Sequence, residues 1–155
     1  MHIEPVRPAQ DAVLARALLE LQRAAYAVEA ELIGDDRIPP LHEQLDDLVR
    51  APLSWLAAMV DGRPVGAIAW SGGAGGLDVD RLVVAPGAQR AGVGRRLVQT
   101  VLDTAGSRRT TVSTARANTP ARRLYEQLGF VRTWDVEVLP GLWVSHHVRD
   151  GDAAG

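Results

Sequence analysis

Neither cysteine nor lysine occurs anywhere in the 155 residues. Without cysteine there is no disulfide, no thiolate nucleophile and no thiolate-ligated zinc, and a cytoplasmic location fits. Without lysine there is no Schiff-base chemistry, and the lysine that a P-loop sets against phosphate is missing. The 17 basic residues other than histidine are all arginine, and the richness in arginine and alanine reads as the coding bias of a GC-rich bacterial genome. A basic excess is also absent: a net charge of −2 argues against a nucleic-acid or anionic-membrane binder and leaves a small molecule or a protein as partner. No apolar run reaches the length of a membrane span. The opening Met1-His2-Ile3-Glu4-Pro5 lacks the charged-then-apolar pattern of a signal segment, so a soluble, unprocessed chain is expected.

What is present suffices for one domain. With 46% hydrophobic residues the chain can bury a sizeable core, expected over residues 1–149 with a flexible tail at 150–155. An opening strand is expected at 2–7. A long helix follows at 11–32, where Val13, Ala17, Leu18, Leu21, Ala24, Ala25 and Val28 trace one stripe, and a short second helix carries Leu41, Leu45, Leu48 and Val49 and ends before Pro52. Apolar runs at 53–60 and 64–70 flank Asp61-Gly62-Arg63 as a hairpin, and the tract Ser71-Gly72-Gly73-Ala74-Gly75-Gly76 reads as a loop into a strand at 77–84. A helix at 94–105, a strand at 110–114, a helix at 120–128 and closing strands at 130–138 and 142–148 complete an α/β (α+β) order. Trp55, Trp70, Trp134 and Trp143 fall in strands and read as core or hairpin packing.

Gln89-Arg90-Ala91-Gly92-Val93-Gly94-Arg95-Arg96 joins the apolar run Leu82-Val83-Val84 to a helix. At a helix N-terminus the first amides have no intrahelical partner and the dipole is positive, so the turn is suited to a phosphate that glycine lets approach closely. Gly87-x-x-x-x-Gly92 begins like a P-loop, but Val93-Gly94 stand where lysine and a hydroxyl residue are required. Gly92-x-Gly94 begins like a dinucleotide fingerprint, but Leu97 occupies the third small-residue position. Downstream, Asn118-x-x-Ala121-x-x-x-Tyr125-x-x-x-Gly129-Phe130 reads as a helix on which Asn118 and Tyr125 share one face with Arg122 between them. Thr119-Pro120 is expected to cap and open this helix, and Gly129 to close it in a left-handed conformation with Phe130 folded back.

Gln89-x-x-Gly92-x-Gly94, preceded by Leu82-x-Val84-x-Pro86, resembles the acetyl-CoA signature of the GNAT superfamily of N-acetyltransferases, and the Asn118–Phe130 pattern resembles the second motif of the same family. The resemblance covers about residues 77–130 and, with the earlier hairpin, implies a single GNAT-like domain. Its mixed, mostly antiparallel sheet would be flanked by about four helices, with a V-shaped splay between the fourth and fifth strands. It implies acetyl-CoA as acetyl donor and direct attack of a primary amine on the thioester. The acceptor would be a small-molecule amine, with a protein amine as alternative, and a homodimer is compatible. A non-catalytic acyl-CoA-binding sensor on the same fold is the competing reading.

The resemblance also implies roles. Tyr125 would act as general acid to the departing thiolate, a phenol of pKa about 10 remaining protonated at neutral pH. The backbone N–H of Val84 would polarise the thioester carbonyl. Coenzyme binding would fall to Leu82, Val83, Val84, Gln89, Arg90, Ala91, Gly92, Val93, Gly94, Arg95, Asn118, Arg122 and Tyr125. For the base that deprotonates the amine, Asp78, Asp80, Glu29, Glu31 and His42 are candidates. Asp80 comes first because strand alternation places Asp78, Asp80, Leu82 and Val84 on one face; an ion pair with a nearby arginine is its structural alternative. Location alone offers Tyr26, Glu29, Glu31, Asp35, Asp36, Trp134, Trp143 and His146 to the acceptor. Glu29, Glu31, Asp35 and Asp36 form an acidic cluster able to attract a cationic amine, or simply a solvated helix end. No metal site is expected, His146-His147 reading as a strand-edge pair.

Overall fold

The computed structural model describes residues 1–152. The chain enters as β1 (His2–Val6) and turns into the 22-residue helix α1 (Ala12–Ile33), which Asp11 caps by accepting from the Leu14 N–H at 3.1 Å and Gly34 closes at φ +69°. A 3-10 turn at Pro39–His42 and the short α2 (Leu45–Arg50) lead to β2 (Ser54–Val60). Asp61 (φ +50°) and Gly62 (φ +76°) form the two-residue left-handed turn that joins β2 to β3 (Arg63–Gly73). β4 (Gly76–Val84) follows. The glycine tract is not a loop of its own: Gly72 and Gly73 pair with Leu77 and Gly76, leaving only Ala74-Gly75 as the connection. Then come α3 (Val93–Ala105), β5 (Thr110–Ala115), α4 (Thr119–Gln127), β6 (Val131–Leu139) and β7 (Leu142–Arg149).

The seven strands form one sheet in the order β1-β2-β3-β4-β5-β7-β6, antiparallel except for the β4–β5 pair. Each face carries its own core. On one, Val93, Leu97, Val98, Val101, Leu102 and Ala105 of α3 pack with Ile68, Leu77, Val79, Tyr125 and Phe130; on the other, Leu18, Leu19 and Leu21 of α1 and Leu48 of α2 pack with Trp55, Ala67, Ala69 and Val83. Each fully buried aliphatic side chain contributes about 1.5–3 kcal/mol. Gly66 sets how closely α3 approaches the sheet, because a Cβ there would lie 2.6 Å from Val93 Cγ1 and 3.2 Å from Leu97 Cδ1. Gly66→Ala is therefore expected to cost about 1–3 kcal/mol by overpacking, read as a lower chemical-denaturation midpoint at unchanged slope.

One irregularity matters for the site. Trp70 pairs with Val79 and Ala69 with Arg81, so Asp80 is an extra residue, a β-bulge in β4. The parallel β4–β5 pairing runs only through Leu77, Asp78 and Val79 against Thr110, Thr111 and Val112, and ends where the bulge begins. A bulge bends and twists its strand, which accounts for the expected splay. It also corrects the expected face: Leu82 and Val84 share the α3 side with Leu77 and Val79, while Arg81 and Val83 turn to the α1 side. Asp78, alternating with Leu77 and Val79, thus lies on the face opposite Leu82 and Val84, its carboxylate accepting from the Thr111 hydroxyl at 2.6 Å.

Of the tail expected to be flexible at 150–155, Asp150 pairs with Arg109 at 3.0 Å, and the Asp152 N–H donates to the Gly106 carbonyl at 3.0 Å. Residues 153–155 lie outside the described residues. No described helix is long and apolar enough to cross a membrane.

Candidate active site

The splay opens a cleft of about 740 Å3 between β4 and β5, within the usual range for small-ligand sites. At one end lies the turn singled out from the sequence. Gly92 caps α3 at φ +77°, and Arg90 also has positive φ, +73°, a conformation that costs a non-glycine residue about 1–3 kcal/mol. Ala91 N–H donates to the Ala88 carbonyl at 3.4 Å and Arg96 N–H to that of Gly92 at 3.1 Å. Among the described residues the N–H groups of Gln89, Arg90, Gly92, Val93, Gly94 and Arg95 have no hydrogen-bond partner. Such unpaired amides at a helix N-terminus suit an anion. The exposed Arg90 and Arg95 line the same end.

The β4 edge forms one wall. The Ala85 N–H donates to the Val65 carbonyl at 2.8 Å, so alternation turns the N–H groups of Leu82 and Val84 the other way, into the gap that β5 leaves unpaired. α4 brings in the other side. Its cap is Asn118 and not Thr119: the Asn118 side chain accepts from the Ala121 N–H at 3.2 Å, with Pro120 in the first turn. Gly129 (φ +93°) reverses the chain so that the Phe130 N–H donates to the Tyr125 carbonyl at 3.0 Å and the Phe130 ring meets the Tyr125 ring edge-on at 5.5 Å. Tyr125 is thus fixed and buried while still lining the cleft. Burial, and then the nearby Glu29 carboxylate, raise its hydroxyl well above the ordinary range.

Glu29 reaches the cleft from α1, its carboxylate accepting from the Asn118 amide at 2.7 Å. Burial raises its carboxyl pKa, and the Asn118 hydrogen bond partly opposes the rise. Tyr26, also lining the cleft, is raised by burial and then by Glu29. Asp80 lines the cleft too, but its carboxylate is held by Arg81 Nε at 2.6 Å, the ion pair foreseen as the alternative to a base. Arg81 is buried and anchors a wider network. Its Nη1 donates to Glu43 at 2.8 Å and to the fully buried Gln22 at 2.9 Å, and the Gln22 amide donates to the Pro40 carbonyl at 2.8 Å. This ties the 3-10 turn, itself a wall of the cleft, to the sheet. Arg81→Met would strand Gln22 and Glu43; with Asp80 partly solvated, a loss of about 2–3 kcal/mol is expected in thermal unfolding.

Several residues expected at the site lie elsewhere. Glu31 is exposed off the cleft, and Ala91 is not among the lining residues. Arg122 turns away, its Nη1 donating to the Arg116 carbonyl at 2.8 Å. Asp35 forms an ion pair with Arg37 at 2.7 Å, which holds its carboxyl down at about 2, and of the four residues of the acidic cluster Glu29 lines the cleft. Trp134 stacks on His146 at 4.1 Å and Trp143 lies against Arg116, all outside the cleft. From the closing hairpin it is Val138, Leu142 and Val144 that line it.

A family model described as "Acetyltransferase (GNAT) family" matches residues 15–130. The chain is similar to "UPF0157 protein YqkA" of Bacillus subtilis (strain 168), 36% identical over 137 residues; the match covers 88% of this chain but 40% of that protein. In fold it is similar to the ribosomal-protein-S18-alanine N-acetyltransferase of Escherichia coli, at TM-score 0.78 and 15% identity over 99% of this chain and 96% of that one. It is also similar to yncA of Salmonella typhimurium, solved with its cofactor acetyl-CoA, at TM-score 0.75 and 18% identity over 100% and 96% of the two chains. The family match, spanning the splayed strands, the turn of unpaired amides and the tyrosine helix, makes this chain a member of the acetyltransferase (GNAT) family.

Proposed function

We propose that the chain is an acetyl-CoA-dependent N-acetyltransferase acting on a small-molecule primary amine. The observation that carries this reading is the convergence, in one cleft, of unpartnered amides at the α3 N-terminus, inward N–H groups on a splayed strand, the buried Tyr125 and the half-buried Glu29. The site suits the coenzyme: amides from Gln89 to Arg95, with the Arg90 and Arg95 guanidinium groups, would hold its pyrophosphate, and Leu82 to Val84 would face its pantetheine arm. When bound, acetyl-CoA supplies an acetyl group activated as a thioester.

The residues of the chain supply the rest. The Val84 N–H is aimed into the gap, where it can polarise an acyl oxygen. Glu29 replaces Asp80 as the base. Its carboxylate has no cationic partner among the described residues, whereas that of Asp80 is committed to Arg81. It takes the proton of an incoming ammonium, whose free amine is otherwise scarce near neutral pH. Tyr125, protonated throughout the neutral range, gives its hydroxyl proton to the leaving sulfur as the C–N bond replaces the C–S bond, and its phenolate takes up the proton that the new amide nitrogen sheds. Absence of cysteine supports a cytoplasmic setting. The test is acetyl-CoA-dependent thiol release across a panel of primary amines: release that depends on both components is expected, and binding without release to any amine would favour the sensor reading instead.

A further inference from the structure

Resting on that reading, the geometry points to an acceptor that carries a single amino group on an apolar body, not a polycation. The acceptor end of the cleft is built from the last turns of α1, the 3-10 turn and the closing hairpin. Val28, Glu29, Leu32 and Ile33 all face it from α1, and Ile38 and Val138 face it from the other two. Leu32 is 53% exposed and Val138 50%, apolar side chains left in water inside a concave site. Such surface is what a ligand covers. The carboxylates do not match a multiply charged guest. Among the described residues Glu29 and Asp80 are the only acidic residues lining the cleft; the Asp80 carboxylate is held by Arg81, which it shares with Glu43, and nearby Asp35 is paired with Arg37. Among the described residues Glu29 is the one lining carboxylate with no arginine contact, so it receives an ammonium directly, and a second cation placed along the rest of the wall would be desolvated against leucine, isoleucine and valine. The walls are tied together at one end by Arg37, whose Nη2 donates to the Pro140 carbonyl at 2.8 Å. The apolar surface is thereby held in place.

The inference is tested by kcat/KM for thiol release along propylamine, butylamine, pentylamine and hexylamine, with spermidine, kanamycin and a peptide with N-terminal alanine as competitors, alongside thermal unfolding with acetyl-CoA. Burial at about 0.8 kcal/mol per methylene predicts a rise of about four-fold for each added CH2, with hexylamine above all three competitors. Leu32→Asp, at a half-exposed position, is expected to flatten the series while acetyl-CoA still raises the unfolding midpoint. A flat or falling series, a better competitor, or coenzyme stabilisation with no amine acetylated would overturn the apolar-monoamine assignment and leave the coenzyme site standing. No stabilisation by acetyl-CoA and no release would overturn both.

Discussion

Tyr125→Phe is expected to lower kcat by about 10²–10⁴-fold with acetyl-CoA binding unchanged, because it removes the proton-donating hydroxyl and leaves the ring in place. That loss corresponds to about 3–5 kcal/mol of barrier. The packing argues that the fold survives: the ring is held edge-on by Phe130 and lies 6.2 Å from the buried His147 ring, contacts a phenylalanine keeps. A merely structural tyrosine would show the opposite pattern, a lower unfolding midpoint with little change in turnover. Parallel measurement of kcat and of the acetyl-CoA-induced midpoint shift separates the two. Because the Tyr125 hydroxyl is raised, wild-type activity should not fall at mildly alkaline pH through its ionisation.

Glu29→Gln is expected to lower kcat/KM by a comparable 10²–10⁴-fold and to abolish the acidic limb of the pH–rate profile. In the wild type that limb should lie above the ordinary carboxylate value of about 4.3, since burial raises the Glu29 pKa and the base works only when ionised. Stability should move the other way. A carboxyl whose folded-state pKa exceeds its unfolded value favours the fold below the unfolded pKa, and that contribution is lost as pH rises through the raised value. Glutamine keeps an oxygen that can accept from Asn118 and has no charge to desolvate. The variant should therefore gain stability relative to wild type as pH rises from 4 to 7, in chemical denaturation at a series of pH values. A variant that is inactive and also less stable at pH 7 would show that Glu29 serves the fold and not the reaction.

The parts of the site legible in the sequence are those set by short-range rules. Gln89-x-x-Gly92-x-Gly94 places free amides at a helix start through local backbone geometry, and the run from Asn118 to Phe130 encodes a cap, a helix and a left-handed stop within thirteen residues. The order of strands and helices along the chain followed from apolar periodicity in the same way. What escaped depends on distant partners. The bulge at Asp80 is a mismatch between β4 and β3, and it reversed the face assigned to Asp78. Arg81 is buried because Gln22 and Glu43, 59 and 38 residues away, meet it there, and its contact with Asp80 is why the proposed chemistry gives the role of base to Glu29. Glu29 was one candidate among five until Asn118, 89 residues on, fixed it in the cleft. Within the acidic cluster, the Asp35–Arg37 pair cannot be read from composition.

Thermal unfolding of the chain against increasing acetyl-CoA tests the coenzyme site most directly. A ligand bound at one hundred times its dissociation constant stabilises the native state by about 2.7 kcal/mol. At about 2–4 °C per kcal/mol for a chain of this size, the midpoint should rise by about 5–10 °C. An unchanged midpoint at millimolar acetyl-CoA would contradict the assignment of the Gln89–Arg95 turn to the coenzyme, and with it the chemistry assigned to Tyr125 and Glu29.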